Sequence, residues 1–431
     1  MIYIYQIIGV TKDYANVCFS IKKMDGFDQY INNDMDGDDM LASTFVFKKM
    51  PGDKKIIFLW PASLDSGIDN FKNRLKNNGL NEDNYEIIIM PSFGTYNNKY
   101  YDFYPQEIML FIFLDMLKRI NADDILLLDI NTGLNEYVNL LIDAATNLFV
   151  ALWLFNINNE KSLRIYKIIS EPVLKGSKKV SIYIQSLNKK AFFLVPYKKE
   201  FKIASVMEMN DDLKMSFEFK FKHKRNYRNL INNVIIIYNS IDMNTLSVLK
   251  ESYNKLFSDS VFYDLKCSIK ELIDNFSDLL NNMDGGRNIK ILNVNEIINF
   301  ILTLYLYCGF FKLFKDKIHL EKLDDYLELG NLIYNNKKIN LPQNIRFLTR
   351  DIQEFKEMAN NNVSSYYNKE DPEFKNESDK NGHGDMERNF FAHSGLDRES
   401  VDIKGDKIIY KSDTDDKKAE THRKWLLKLS K

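Results

Sequence analysis

Short apolar runs alternate with longer segments of helical spacing over the first two hundred or so positions. The runs are "IYIYQIIG" (2–9), "KIIFLWP" (55–61), "YEIIIMPSFGT" (85–95) and "DILLLDINTG" (124–133). Each is rich in Ile, Leu or Phe and is stopped by Gly, Pro or a small polar residue. Strands covered on both faces read this way, because neither face alternates with solvent. "PQEIMLFIFLDMLKRI" (105–120) links the third run to the fourth at helical period, and "NEYVNLLIDAATNLFVAL" (135–152) follows the fourth. Strand and helix in alternation predict an α/β Rossmann-like, doubly wound sheet.

Further on, "LRIYKIIS", "KVSIYIQSL", "AFFLVPY" and "MSFEFKFKHK" read as strands that complete or flank that sheet and then connect it onward. From residue 226 the period becomes 3.6, in "NLINNVIIIYNSI", "TLSVLKESYNKLF", "SIKELIDNFSDLLNNM", "NEIINFILTLYLYCGFF", "LDDYLELGNLIY" and "IRFLTRDIQEFKEMA". This predicts an all-α helical C-terminal domain. The expected boundaries are 1–205 for the first domain, 206–225 for a connector and 226–431 for the second. Residues 360–387 have almost no aliphatic side chains and predict a polar mobile loop within the second domain. After it, "VDIKGDKIIYKS" (401–412) predicts a hairpin, and "KKAETHRKWLLKL" a last helix.

Composition narrows the class. A chain of 431 residues exceeds one ordinary core and predicts two domains. With 59 Lys and Arg against 60 Asp and Glu, any basic surface must be local. A hydrophobic content of 45% excludes global disorder. Three widely spaced cysteines imply neither a disulfide framework nor a zinc cluster, and fit a reducing compartment. "MIYIYQIIGVTKDY" lacks the basic region of a signal peptide, and the longest apolar run, "FILTLYLYCGFF" (300–311), is too short to span a bilayer. The expectation is a cytoplasmic protein without a membrane partner.

The sharpest chemical feature is "RNFFAHSGL" (388–396), in a chain with only five histidines. Phe390 and Phe391 suit a helix, and Gly395 suits the position just past its end. Arg388, Asn389 and His393 give an Arg-Asn-x-x-x-His pattern. RNA cleavage by attack of the ribose 2′-oxygen needs no metal. It needs a group that handles protons and a cation that takes up charge on phosphorus. His titrates near neutrality, and the Arg fork matches phosphate oxygens. Residues five apart on an ideal helix point about 140° apart, so one continuous helix would not converge both. Unwinding near Gly395, or two copies across a dimer axis, would resolve this.

A second feature is "LLLDINTGLN" (126–135), at a strand's carboxyl end and leading into a helix. Asp129, Asn131, Thr132, Gly133 and Asn135 lie where open α/β sheets bind ligands, and polar side chains and backbone N–H groups there suit phosphate or ribose. A plain capped turn is the other reading, and both stay open. "GVT" (Gly9, Val10, Thr11), "WPAS" (Trp60, Pro61, Ala62, Ser63) and "GTY" (with Gly94 and Thr95) end other strands and would line the same edge. The first strand is not followed by G-x-G-x-x-G, and no G-x-x-x-x-G-K-[ST] occurs, which weakens NAD and P-loop readings. An EF-hand starting at Asp34 of "DMDGDD" (34–39) would need Gly at 39 and Glu at 45, where Asp39 and Phe45 stand, so the stretch reads as a solvated loop. "FKFKHKRNYR" (219–228) interleaves basic and aromatic residues and reads as a solvated connector strand, with nucleic-acid contact as the alternative.

Taken together, these segments resemble the CARF–HEPN ribonucleases of type III CRISPR systems: a CRISPR-associated Rossmann-fold (CARF) domain followed by a helical (HEPN) ribonuclease domain. The resemblance covers nearly the whole chain. "RNFFAHSGL" is similar to the family's Arg-x4-His motif, and "GVTKDY", "WPASL", "GTY", "DINTGLN" and "SEPVLKG" fall in the family's order. The resemblance implies that Arg388 and His393 are catalytic with Asn389 in support, and that catalysis requires no cofactor or metal. It implies a pocket for a cyclic oligoadenylate activator, with cyclic tetra-adenylate the expected ring. Asn131, Thr132, Gly133 and Asn135 would form the pocket beside the turns at Gly9–Thr11, Trp60–Ser63 and Gly94–Thr95. Asn131 stands where the family often has Ser or Thr. The implied partners are single-stranded RNA and a second copy of the chain, as a homodimer or an assembly of dimers. Two other readings stay open: a non-catalytic nucleotide-sensing regulator, and a stand-alone HEPN ribonuclease toxin.

Overall fold

A computed structural model of the chain describes all residues except 10–15, 25, 32–35, 65–66, 132–134, 160–161, 173–178, 188–195, 198–205, 210–214, 216–217, 282–288, 316, 361–382, 393, 397–399, 405, 414 and 430–431. In chain order the first half contains β1 (Ile2–Ile7), β2 (Val17–Met24), β3 (Asp36–Asp39), α1 (Ala42–Lys49), β4 (Lys54–Pro61), α2 (Ile68–Asn77), β5 (Tyr85–Met90), β6 (Phe93–Tyr96) and β7 (Lys99–Asp102). α3 (Pro105–Arg119), β8 (Ile125–Asp129), α4 (Asn135–Phe155), β9 (Arg164–Ser170) and β10 (Lys179–Ser186) follow. Eight strands form one sheet in the order β3-β2-β10-β9-β8-β1-β4-β5, and β6 and β7 pair as a separate hairpin. The run from β9 to β5 is parallel throughout.

Alternate residues of each central strand feed opposite cores. Ile4, Phe58 and Leu127 pack with Phe45 of α1 and Phe71 of α2. Tyr5, Ile57, Leu59, Leu126 and Leu128 pack with α3 and α4 on the other face. The chain runs β1-β4-β5 in one direction, then returns to place β8 on the far side of β1. The strand order therefore reverses between β1 and β8, and such a switch point opens a crevice beyond the carboxyl ends.

Two expectations fail here. "DMDGDD" is not a solvated loop: Asp36–Asp39 is the edge strand β3, antiparallel to β2. Asp39 is fully buried, accepting from Met40 N (2.8 Å), Thr44 Oγ1 (2.6 Å) and Lys48 Nζ (2.6 Å). Its charge is tolerated inside because it is paired and hydrogen-bonded. Nor is "FKFKHKRNYR" a strand. Residues 218–220 are helical, and the backbone N–H groups of Lys222 and His223 are taken up by Glu271.

The second half begins with β11 (Met207–Met209), then α5 (Lys224–Asp242), α6 (Ser247–Glu251), α7 (Tyr253–Phe257), α8 (Asp259–Asn281), β12 (Ile289–Ile291), α9 (Val294–Phe314), α10 (Leu323–Tyr334) and α11 (Pro342–Asn360). It ends with α12 (His383–Ala392), the predicted hairpin β13 (Val401–Lys404) and β14 (Lys407–Tyr410), and α13 (Asp416–Lys428). This region is mostly helical, as the periodicity predicts. Most of the expected polar loop, 361–382, lies outside the described residues, and its last five positions belong to α12.

The two halves share one core. α9 packs on α4, and a Cβ placed on Gly309 would lie 2.1 Å from the Leu154 carbonyl oxygen. Only glycine allows that backbone approach. Both helices are long and apolar enough to cross a bilayer, which the run 300–311 alone understates. In α9, 83% of that apolar stretch is buried inside the protein. Glu107 of α3, fully buried, accepts from Ile291 N of β12 (3.1 Å) and from Tyr104 N (2.8 Å), and so also ties the sheet to the helical half. Cys18, Cys267 and Cys308 are unpaired.

Candidate functional site

The carboxyl ends of β1, β4 and β8, together with β6, bring several of the predicted residues to one edge. Gly9, Ala62, Gly94, Thr95 and Asn131 keep exposure there, Thr95 the most. The turns are tied to one another. Ser63 N donates to Ser92 Oγ (3.0 Å), Tyr101 OH to the Ala62 carbonyl (3.2 Å) and Phe93 N to Tyr137 OH (3.3 Å). Gly94 has φ +87°, a conformation that favours glycine, and it sets the course of β6. Trp60 and Pro61 do not belong to this edge. Trp60 is 2% exposed and its ring lies 5.6 Å from Phe71 in the core; Pro61 is buried as the last residue of β4. Val10, Thr11, Thr132 and Gly133 lie outside the described residues, as does the side chain of Asn135, the first residue of α4.

Asn131 is used structurally. Its amide nitrogen donates to Asp129 Oδ1 (2.7 Å) and to the Ile168 carbonyl (3.1 Å), and its oxygen accepts from Ser170 N. The side chain thus bridges the ends of β8 and β9. Asp129, 1% exposed, also accepts from Asn131 N (3.0 Å) and from Ser43 N of α1 (2.9 Å). Ser43 Oγ bonds in turn to the buried Gln6 of β1. Burial pushes the Asp129 carboxyl up to about 6, and the N–H donors of Asn131 and Ser43 oppose that rise. A buried polar network therefore underlies the edge, linking β1, α1, β8 and β9.

The second cluster surrounds α12. Arg388 is exposed in the middle of this helix, and Phe390, two positions on, is fully buried. Phe390 stacks on His422 (4.4 Å, 18°) and lies 5.5 Å from Trp425, both on α13. Residues two apart on a helix point roughly 200° apart, so anchoring Phe390 turns Arg388 outward. Beyond Ala392 the backbone leaves the helix: Ser394 has φ +56° and Gly395 φ +75°. Gly395 N donates to the Phe390 carbonyl (2.8 Å), the backward bond expected of a glycine cap. A Cβ on Gly395 would meet Ser247 Oγ at 2.2 Å. His393 and the side chain of Asn389 lie outside the described residues.

Residues that the sequence did not single out hold this turn. Ser394 Oγ donates to Asp351 Oδ2 of α11 (2.6 Å) and accepts from Asn244 Nδ2 (3.0 Å). His422 Nδ1 lies 2.8 Å from Glu251 Oε2, and its Nε2 lies 3.2 Å from Ser400 Oγ. His422, Ser400 and the Glu251 side chain are all buried, so this linked trio braces the stack on Phe390. His422 shares a helix face with Ala419 and Leu426, a spacing legible in the sequence. Nothing local marks Asp351.

The strand-end cluster falls within a region matched by a family model, and so do Asp351, Arg388, Phe390, Ser394 and Ser400 of the second; Asn244, Ser247, Glu251, His422 and Trp425 lie outside the matched residues. Residues 3–172 match the CARF domain of the CRISPR system endoribonuclease Csx1. Residues 341–414, which span α11, α12 and the turn after it, match the HEPN domain of the same endoribonuclease. No curated protein matches the chain. The sheet with its strand-end edge and the helical half with its anchored Arg388 turn thus correspond, in order, to the two domains of one kind of protein: the chain belongs to the CARF–HEPN family of CRISPR-associated ribonucleases.

Proposed function

We propose that the chain is a metal-independent, single-strand-directed endoribonuclease of type III CRISPR defence, switched on by a cyclic oligoadenylate. The observation that carries this is the exposed Arg388 beside a locked turn, within the matched HEPN region. In this reading the ribose 2′-oxygen attacks the adjacent phosphorus and the 5′-oxygen leaves. The products are a 2′,3′-cyclic phosphate and a 5′-hydroxyl. Arg388 takes up the added charge on the phosphate oxygens. His393 moves a proton or orients the 2′-hydroxyl, and Asn389 supports the pair. Two copies of the chain form one cleavage groove, in the cytoplasm, where RNA is met.

The activator would sit at the edge of β1 and β8, contacted by Gly9, Ala62, Ser63, Gly94 and Thr95 and by the segment 131–135. A ring with internal symmetry suits a pocket shared by two copies. The ligand shifts the enzyme only as far as it binds the active form more tightly. The test is cleavage of an unstructured RNA with and without cyclic tetra-adenylate, each with and without EDTA. Ring-dependent, EDTA-resistant cleavage is expected. Full activity without the ring removes the gating, and a strict need for added divalent metal removes the mechanism.

A further inference from the structure

One aromatic on α11 is not accounted for by the core. Phe347 is 52% exposed, whereas Leu348, Ile352 and Phe355 of the same helix are buried. Arg346 and Arg350 are exposed beside it, and the Arg350 guanidinium carbon lies 5.7 Å from the Phe347 ring centroid. Arg350 keeps 61% side-chain exposure, and its approaches to Asp351 (3.4 Å) and Glu354 (3.9 Å) are long. On an ideal helix, positions 346 and 350 lie roughly 100° and 60° to one side of 347, and 351 about 40° to the other. Phe347 therefore sits between a strip of two guanidinium groups and Asp351, the carboxylate that grips Ser394. Residues four apart on a helix are neighbours, so this ring lies one turn from the clamp on the Arg388 turn.

We propose that Phe347, Arg350 and Arg346 form a subsite for one nucleotide of single-stranded RNA next to the scissile phosphate. The inference rests on the ribonuclease reading above. An unpaired base presents a π-face that stacks on an exposed ring, and arginine both stacks and pairs with phosphate. The ring takes the base, and the guanidinium strip follows the backbone. Two exposed arginines along one side of the aromatic complement a polyanion rather than an apolar protein face. A phenyl ring reads no base edge, so this subsite adds affinity without selecting sequence.

The test measures binding of a fluorescein-labelled, unstructured adenosine–uridine RNA to His393→Ala protein saturated with cyclic tetra-adenylate. The same protein carrying Phe347→Ala, Phe347→Trp or Arg350→Ala is compared by anisotropy. In parallel, steady-state cleavage is followed in chains with His393 intact. Phe347→Ala should weaken RNA binding about tenfold and raise KM more than it lowers kcat, and Phe347→Trp should restore both. Arg350→Ala should weaken binding and flatten its salt dependence. Unchanged affinity and KM in Phe347→Ala, with the parent binding and cutting RNA normally, overturns the subsite alone. A loss of dimer mass by light scattering assigns the face to a second copy and also overturns it. If the parent protein binds no RNA, the subsite and the ribonuclease reading fall together.

Discussion

Ser394 Oγ donates a 2.6 Å hydrogen bond to Asp351 Oδ2, joining the turn after α12 to the middle of α11. Both residues are buried, at 3% and 6% exposure. A buried carboxylate that loses its partner is costly, so the turn is held in one place. Asp351 is thereby a positioning residue for the candidate catalytic pair. Asp351→Ala should lower single-turnover cleavage about tenfold or more while leaving cyclic tetra-adenylate affinity unchanged. Asp351→Asn keeps an acceptor and should lose less. Equal losses in both variants would place the effect elsewhere.

Arg388 is exposed, so its removal should cost chemistry rather than stability. Arg388→Ala should slow cleavage about 10²-fold or more, with a melting temperature within about one degree of the parent. Near-parent cleavage by the purified variant would remove Arg388 from the mechanism.

Asn131 spends its side chain on bracing, so Asn131→Ala should act on both stability and ligand. It strands the Ser170 N–H at the end of β9, whereas the Ile168 carbonyl keeps its bond from Ile130 N (3.2 Å). Thermal unfolding should report a loss of about 1–3 kcal/mol. Activation should also demand more activator, with cleavage recovering at saturation. Unaltered stability would mean that the strand ends are held by other contacts.

The buried Asp129 should make stability depend on pH. Its carboxyl is pushed up to about 6 by burial, against about 3.9 in an unfolded chain. Between about pH 4 and 6 the folded protein therefore holds a proton that the unfolded chain has released. The group's contribution to stability falls as pH rises through this window and is lowest above it, by about 3 kcal/mol at most. Melting temperatures of the parent and of Asp129→Asn, compared near neutrality and near pH 5, should shift in the parent's favour at the lower pH. A constant difference would show that Asp129 does not titrate there.

The sequence exposed what was periodic and hid what was relational. β1, β4 and β8 are continuous apolar runs, because helices cover both their faces, and that signature survives without any partner in view; the edge strand β5 carries a similar run although Ile89 is 59% exposed. β3 is four residues long with three aspartates, and Asp39 is tolerable inside only because Lys48 and Thr44 lie across from it. Gly395 was readable as a helix terminator, since its φ of +75° is a requirement of the residue itself. Asp351 was not readable, since its role exists only once α11 is folded against a turn 43 residues further along the chain. Trp60 misled for a related reason. A tryptophan at a strand's end is equally at home over a ligand or in the core, and Phe71 decides the matter.

The contact between Gly309 and the Leu154 carbonyl also bears on how the protein can be taken apart. Because α4 and α9 pack on each other, and 83% of the apolar stretch of α9 against 44% of that of α4 is buried, a cut between the halves would open hydrophobic surface to water, above all along α9. Excised halves should aggregate or remain partly unfolded, whereas the whole chain should melt in one calorimetric transition whose van't Hoff and calorimetric enthalpies agree. The two halves are in that sense not interchangeable modules: swapping one for another family member's would require transplanting the partner face of the seam with it.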